Sequence, residues 1–423
     1  MLRSLSVRVL IALIVGLALG ATAAAYGGAG VRRAIEIVES FGGLWLNSLR
    51  MTVVPLIFAI LVTGVSGVAD AAATGRLAVR TLVLILIFMT GSALFALVWQ
   101  VGFYAIWPVD PHGALALKAG ATSAPELLKA APSLTDFVKN LAPSNPIKAA
   151  SEDSILPLVV FAGFFGFAVT RLPEARRRAI TELFDSISEA MVTIVRWVLQ
   201  AAPIGVFALA LGVGLRAGVG AAPEIIHYMA SISLGNIAVT LVMALVAVTL
   251  GRVPVGLWVR ATAPVQVAAF ATQSSLACLP AMVERSRDDL GIPDRVTGLS
   301  LPLAVALLRV TGPFANFAVA LFCAQIYGVH LTPGLYVAGV FVAVATSMAA
   351  VSLPGQVSFF FSVAPICVTL GVPVDLLPIL IAVEVVPDIF RTIGNVTGDM
   401  ALTVVLARSE GTEPRPAEAI AQA

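Results

Sequence analysis

Charged residues are scarce in this chain of 423 residues: Asp, Glu, Lys and Arg together make up 12%, whereas hydrophobic residues make up 59%. A soluble domain carries about 25% charged residues. The mean hydropathy is +0.98, so the average residue is apolar. These values exclude an ordinary soluble domain and predict a membrane protein that crosses the bilayer several times.

Cysteine and histidine are nearly absent, with three residues of each. The cysteines all lie in apolar stretches, and the histidines have no metal-ligand spacing, so we predict neither a disulfide framework nor a bound metal. The sequence also lacks a P-loop, a Rossmann glycine pattern and a G-x-S-x-G elbow. No organic cofactor and no nucleic-acid partner are expected. An intramembrane enzyme has no support either, because no histidine accompanies the serines of the apolar segments.

Long hydrophobic runs occupy the first 250 residues. A helix needs about 20 apolar residues to cross the bilayer. The runs that meet this length predict spans at 7–25, 42–69, 79–105, 154–171, 190–214 and 230–250.

The hydrophobic pattern changes after residue 260. Two apolar stretches are interrupted by uncharged polar tips, 271-ATQSSLACLP-280 and 347-SMAAVSLPGQVS-358, and two further helices are interrupted near 309–313 and 387–395. Paired interruptions in corresponding halves indicate the binding site of a transporter. We predict two re-entrant hairpins, each followed by a broken helix, at 260–320 and 340–405. The alternative is that the tips are ordinary loops between short helices.

Lys and Arg near the ends of the spans predict the orientation, because they concentrate on the cytoplasmic side. The runs 171-RLPEARRR-178 and 284-ERSRDD-289, with Arg3 and Arg408, fall on one side if the spans alternate. We therefore expect a multi-pass protein of a bacterial-type inner (plasma) membrane with both termini cytoplasmic. Arg32 and Arg33 do not fit this pattern. The polar tail 409–423 is predicted to be disordered.

A stripe of polar residues runs along the last apolar helix. Its members recur every three or four positions, so they share one helical face. On a membrane helix such a face must meet a cavity or partner groups rather than lipid. Arginine suits a carboxylate ligand because its planar fork binds two oxygens. Substrate binding and a structural salt-bridge stripe both remain open on this evidence. The stripe comprises Glu384, Asp388, Arg391, Asn395 and Asp399.

These segments together resemble the dicarboxylate/amino acid:cation symporter family, the glutamate transporter homologues, over nearly the full length. DIFRTIGNVTGD (388–399) is the most specific of them, since charged and amide residues recur there inside an apolar helix. The others are GGLWLNSLRMTVVPLIFAILVTGVSGV (42–68), NLAPSNPIKAASEDSILPLVVFAGFFGFAV (140–169), APIGVFALA (202–210), TQSSLACLP (272–280), LPLAV…LFCAQ (301–325) and SLPGQ (352–356).

The resemblance implies an all-α polytopic fold with eight transmembrane helices and two re-entrant helical hairpins. It further implies a homotrimer in the lipid bilayer, in which each protomer moves a transport domain along a fixed scaffold as an elevator. The expected segments are scaffold helices 1–2 (1–70), transport helix 3 (71–106), scaffold helices 4–5 (107–214), transport helix 6 (215–258), the transport core of hairpin 1, helix 7, hairpin 2 and helix 8 (259–408), and the tail (409–423).

The resemblance also implies the site residues. Asp388 would bind a substrate amino group, Arg391 a substrate side-chain carboxylate, and Asp399, with Asn395 as a further candidate, would be a residual sodium ligand. The full set of implied substrate-binding residues is Gln273, Ser274, Ser275, Gly312, Leu353, Pro354, Gly355, Val357, Asp388, Arg391, Thr392 and Asn395.

The sequence departs from the family at its seventh helix, where the family carries an unwound N-M-D-G-T motif. Counted without gaps, that motif falls on 308–312, so Leu308 replaces the amide, Val310 the carboxylate, and Arg309 the methionine. A guanidinium and a sodium ion in the same low-dielectric pocket would repel each other strongly. We therefore hypothesise that Arg309 replaces a coupling sodium ion, paired with Asp399 and Glu384.

Other interpretations of Arg309 stay open: a packing salt bridge without functional consequence, or a second ligand for a substrate carboxylate. A deeper sodium site would fall near 88–92, where only Thr90 and Ser92 have suitable oxygens.

The predicted function is secondary transport of a small anionic solute, an acidic amino acid or a C4-dicarboxylate. We expect it to be independent of sodium, through either proton coupling or exchange, with Glu384, Asp388 or Asp399 as the proton carrier. Conventional sodium symport is the alternative mechanism. A receptor that keeps the pocket without a transport cycle is the alternative of another class.

Overall fold

The computed structural model describes residues 5–73, 75–120, 143–152, 155–349 and 355–411. These residues form helices joined by short turns and contain no strand, which confirms the predicted all-helical class. In chain order the helices are α1 (Leu5–Tyr26), α2 (Ala29–Arg50), α3 (Val53–Ala73), α4 (Arg76–Ile106), α5 (Pro111–Gly120), α6 (Pro146–Ser151), α7 (Ile155–Val169), α8 (Glu174–Gln200), α9 (Ala202–Ala217), α10 (Ala222–Thr249), α11 (Val255–Thr272), α12 (Ser275–Asp288), α13 (Asp294–Leu307), α14 (Thr311–Tyr327), α15 (Pro333–Ala349), α16 (Gly355–Thr369), α17 (Leu377–Val383) and α18 (Val385–Ser409).

Prolines determine where several apolar runs break. A proline inside a helix removes a backbone hydrogen bond, whereas in the first turn its missing N–H has no helical partner to lose. The predicted span 42–69 is wrong as one helix, because it breaks at 51–52 and Pro55 then stands in the first turn of α3. The run 190–214 likewise breaks before Pro203, and α8 and α9 meet there at a bend of 58°.

The same rule corrects the prediction for the last helix. The interruption expected within 387–395 is not there: α18 is continuous from Val385 to Ser409, and the break lies at Glu384, three residues before Pro387. Pro387 stands in the first turn of α18. The whole stretch DIFRTIGNVTGD is therefore helical.

Three helices in the described part of the chain are long and apolar enough to cross a membrane by length and composition: Arg76–Ile106, Ala222–Thr249 and Asp294–Tyr327. The last of these contains the turn at 308–310 between α13 and α14. A fourth is added if the bent pair α8 and α9 counts as one span.

The first of two compact units contains Met1–Val65, Gln100–Ser231 and Asn316–Val385. Within it α1 packs along α9, and the two backbones cross at Gly20 and Gly214. A Cβ built on Gly20 would lie 2.2 Å from the carbonyl oxygen of Leu211, so no larger residue fits this crossing. Arg216 of α9 binds the buried Glu39 of α2 with both terminal nitrogens, at 2.6 and 2.8 Å.

The second unit contains Ser66–Trp99, Ile232–Ala315 and Val386–Ala423. Here α11 and α12 are consecutive helices that pack against each other around the predicted first hairpin tip, and α12 packs on α13. In this unit Glu410 forms ion pairs with Arg80 and with Arg295.

The second predicted hairpin also consists of two consecutive helices that pack together, α15 and α16, in the first unit. Its tip residues Leu353 and Pro354 lie outside the described residues, as does most of the predicted tail. The scaffold and transport boundaries expected from the resemblance stay a prediction.

Candidate functional site

The turn between α13 and α14 forms the centre of the candidate site in the second unit. Arg309 has φ of +33°, in the left-handed region that a residue with a Cβ seldom adopts. Such a conformation costs about 1–3 kcal/mol and concentrates at functional sites. The N–H of Gly312 donates to the carbonyl oxygen of Arg309 at 2.7 Å, so α14 begins immediately after the turn. The interruption predicted at this position is confirmed.

Two contacts hold the turn against its neighbours. The hydroxyl of Ser92, on α4, donates to the carbonyl oxygen of Val310. A Cβ on Gly398 would lie 2.5 Å from Cγ1 of Val310, so α18 approaches the turn closely only because residue 398 is glycine. Ser92 is thus engaged with the backbone of the turn, and the valine that replaces the family carboxylate contributes packing.

Thr311 and Asn395 join α14 to α18. Oδ1 of Asn395 accepts a hydrogen bond from the backbone N of Thr311 at 3.0 Å and is 2.8 Å from its Oγ1. The same Oγ1 lies 3.0 Å from the carbonyl oxygen of Arg391. A Cβ on Gly394 would clash with Cγ2 of Thr311 at 2.4 Å. The turn is therefore fixed to the part of α18 that carries Arg391.

Charges of both signs meet inside this unit. Arg309 is attracted by Asp388 and Asp399 and repelled by Arg391, and Asp388 is also attracted by Arg391. Asp399 is 1% exposed, and neither of its carboxylate oxygens accepts a hydrogen bond within the described part of the chain. A buried carboxylate is strongly unfavourable without a compensating charge. Arg309 supplies a positive charge that offsets part of this cost.

Glu384 precedes α18 and belongs to the first unit. Its Oε2 accepts a hydrogen bond of 2.6 Å from the hydroxyl of Tyr228, which is fully buried. Its expected pairing with Arg309 stays a prediction.

The predicted first hairpin tip lies in the same unit as Arg309. Gln273 ends α11 in the left-handed conformation, with φ of +50°, and Ser274 caps α12 by accepting from the N–H of Ala277. Ser275 is the first residue of α12. The side chain of Gln266 donates to Thr397 at 3.0 Å, which ties the hairpin to α18.

The remaining predicted residues fall in three places. Gly312 stands in the first turn of α14, and the hydroxyl of Thr392 donates to the carbonyl oxygen of Asp388, at 2.9 Å, within α18. Gly355 and Val357 belong to the first turn of α16 in the other unit, and the side chain of Val357 lies outside the described residues.

The oxygen atoms around the turn are mostly engaged within the protein. A hard cation such as sodium needs several carboxylate, carbonyl or amide oxygens. Asn395 already accepts from Thr311, and the carbonyl oxygen of Val310 already accepts from Ser92. Leu308 and Val310 have no side-chain oxygen, which leaves the carboxylate of Asp399 beside a guanidinium. This donor set fits a sodium ion poorly.

The sequence did not single out Thr311, Gly394 or Gly398 as site residues. A signal for the glycines was present, since they are four residues apart and lie on one face of a helix. Thr311 falls in the motif that departs from the family, and only the structure shows that it bonds Asn395.

Replacing Thr311 with valine keeps the shape of the side chain and removes its hydroxyl. We expect a loss of about 1 kcal/mol in the free energy of unfolding, because Oδ1 of Asn395 then loses one buried donor. The measurement is the thermal unfolding midpoint of the purified protein. Thr249→Val is the matched control, because that hydroxyl donates only within its own helix, to Leu245. Equal midpoints for the two variants would contradict this role of Thr311.

A chain of long apolar helices with a charged, left-handed turn and a buried polar stripe has the features of a membrane carrier. The sequence matches the sodium:dicarboxylate symporter family over residues 5–409, and the chain belongs to that family. The predicted resemblance is thereby confirmed. The family consists of transporters, so the expectation that this protein is not an enzyme is confirmed as well.

The chain is similar to several characterised transporters over most of their lengths. It is 24% identical to the proton/glutamate-aspartate symporter of Escherichia coli, covering 96% of this chain and 93% of the relative. Identity to the proton/sodium-glutamate symport protein of Bacillus subtilis is 25%, over 90% of this chain and 89% of the relative. Identity to the C4-dicarboxylate transport protein of Azorhizobium caulinodans is 28%, over 88% of this chain and 83% of the relative.

Proposed function

We propose that the protein is a secondary active transporter of a small anionic solute, either an acidic amino acid or a C4-dicarboxylate, that works without sodium. The observation that carries the proposal is Arg309, a fixed cation in the turn where the family motif would place sodium ligands, electrostatically paired with the buried Asp399. In this role the guanidinium takes the place of a coupling sodium ion beside the carboxylate.

The buried polar face of α18 supports an anionic substrate. Arg391 is 4% exposed and stands on the same face as Asn395. A guanidinium in a site of low dielectric constant binds a carboxylate strongly, and two parallel hydrogen bonds fix its orientation. Asp388, attracted by Arg391, would accept the ammonium group of an amino acid substrate. The names of the relatives include both substrate classes.

A transporter that works without sodium can use either of two coupling modes. Binding a net negative substrate beside Asp388 and Asp399 adds negative charge to a buried site, and a proton on a carboxylate would offset it. Glu384 is the third candidate carrier, with Tyr228 as its hydrogen-bond donor. Alternatively, the carrier moves only when loaded and exchanges one solute for another.

The proposal includes an elevator mechanism in a homotrimer, with eight spans, two re-entrant hairpins and cytoplasmic termini. Family membership supports it, and so do the helix pairs α11–α12 and α15–α16. In this mechanism the second hairpin tip, 353–357, is the extracellular gate, and the first tip, 273–275, contributes to substrate binding.

Sodium symport remains the second candidate mechanism, favoured by one observation: the carboxylate oxygens of Asp399 accept no hydrogen bond within the described residues. A carboxylate of this kind is a suitable ligand for a cation.

The test is uptake of labelled aspartate, glutamate and succinate into proteoliposomes under a sodium gradient, a proton gradient, or neither. We expect accumulation with an inward proton gradient or exchange against internal substrate, and no increase on adding sodium. Accumulation that requires sodium would refute the sodium-independent mechanism. Binding without uptake or exchange under any of these conditions would identify a receptor instead.

A further inference from the structure

The start of α10 carries a second group of buried titratable side chains, in the unit that does not contain Arg309. Glu224 is 2% exposed and His227 is 1% exposed. They are three residues apart, so they stand on the same face of the helix. The proposed substrate site uses neither of them.

Both side chains hold the turn that connects α4 to α5. Oε1 of Glu224 accepts a hydrogen bond from the backbone N of Asp110 at 3.0 Å. Nε2 of His227 lies 2.9 Å from the carbonyl oxygen of Trp107. Because a carbonyl oxygen only accepts, Nε2 must carry the hydrogen, and Nδ1 is then the basic nitrogen of the neutral ring.

Three polar atoms of this group have no hydrogen-bond partner within the described residues: Nδ1 of His227, Oε2 of Glu224 and the hydroxyl of Tyr104. Each of these atoms is buried. Glu224 interacts electrostatically with both His227 and Tyr104. With the imidazole neutral and Glu224 ionised, the pair has one net buried negative charge, and one added proton makes it neutral.

Aromatic rings surround the imidazole. The ring centroids of Phe103, Tyr104, Trp107 and Phe322 lie 5.2, 5.7, 5.1 and 6.1 Å from that of His227. The faces of aromatic rings attract a cation within about 6 Å. Nδ1 therefore has an anion nearby and a π-rich enclosure.

The other ionisable groups around the pair make contacts of their own. The carboxylate of Asp110 accepts from the N–H of Gly113 at 2.9 Å, and Lys118 of α5 contacts the carbonyl oxygen and ring of Tyr327. From α14, Cys323 faces Tyr104. Within this set Glu224 is the anion that interacts electrostatically with His227.

We propose that Glu224 and His227 form a proton-binding site, with the proton on Nδ1 of His227, that determines how uptake responds to external pH. Binding forms one N–H bond and breaks none. The site is placed to act on transport because α10 continues from it into the unit that contains Arg309. The sequence predicts that 107–134 lies on the outer side, so the proton would come from the external solution. This inference depends on the proposed proton coupling.

The test measures initial uptake by the full-length protein in proteoliposomes at external pH between about 5 and 8. Glu224→Gln removes the anion that stabilises the imidazolium, so we expect the pH of half-maximal uptake to fall by about one unit, a tenfold change in proton affinity. His227→Gln removes the basic nitrogen and should flatten the response. His112→Gln, at an exposed histidine, is the control and should match wild type.

A second measurement uses the wild-type protein and does not depend on how the variants fold. A protonated His227 should quench the fluorescence of Trp107, 5.1 Å away, so fluorescence should fall on acidification by an amount that Trp107→Phe removes. Unchanged pH profiles in both glutamine variants, or no pH-dependent Trp107 signal, would overturn the inference. Wild-type uptake without any response to protons would instead overturn the proposed proton coupling.

Discussion

Replacing Arg309 with methionine is expected to lower sodium-independent uptake by at least about 100-fold. The substitution leaves Asp399 buried without its counter-charge, and breaking a buried ion pair costs about 3–5 kcal/mol. Each 1.4 kcal/mol corresponds to a tenfold change in an equilibrium constant. Initial uptake rates of labelled substrate at saturating and limiting concentrations measure the effect.

The double variant Arg309→Met with Asp399→Asn separates this role from a general folding defect. Removing both charges abolishes the unfavourable lone carboxylate, so we expect a thermal midpoint near that of wild type and a non-additive effect on binding. Arg252→Met is the matched control, since Arg252 is also an arginine with positive φ but is exposed. Wild-type uptake by the Arg309→Met protein would leave Arg309 only a packing role.

Replacing Arg391 with lysine is expected to weaken substrate binding by roughly 10- to 200-fold. Lysine keeps the charge but cannot hold a carboxylate with two parallel hydrogen bonds, and a hydrogen bond to a charged group contributes about 1.5–3 kcal/mol. The readout is the concentration of succinate or aspartate that gives half-maximal thermal stabilisation of the purified protein.

Arg408→Lys is the control for this series, because Arg408 lies in the last turn of the same helix, at the far end from Arg391. We expect its ligand dependence to match wild type. If Arg391→Lys also binds with wild-type affinity, the polar face of α18 is a structural salt-bridge stripe, which is the alternative that the sequence left open.

Local chemistry made the helical class and the polar face of the last helix predictable from the sequence. The scarcity of charge and the long apolar runs indicated membrane helices, and the spacing of 388, 391, 395 and 399 indicated one polar face on the last helix. The break between two packed helices at Gln273 and Ser274 was visible because uncharged polar residues interrupted an apolar run, but SLACLP (275–280) proved to be helical. Helix ends were less accessible, since hydropathy does not show which side of Pro55 or Pro387 a break will fall on.

The candidate site was only partly accessible for a different reason. The unusual charge of Arg309 was visible in the sequence, as were its potential partners on the last helix. The hydrogen bonds of Thr311 to Asn395 and of Ser92 to Val310 link residues about 80 and 220 positions apart. No local pattern reports such pairs.

The sequence by itself determined the class of the protein, the helical composition and the polar face of α18, because each depends on the chemistry of neighbouring residues. Only the tertiary structure decided which oxygens are already bonded, that Asp399 is buried next to Arg309 while Glu384 bonds Tyr228, and that Glu224 and His227 share an aromatic enclosure. These contacts join distant segments of the chain, and burial in the folded state gives each of those charges its energetic weight.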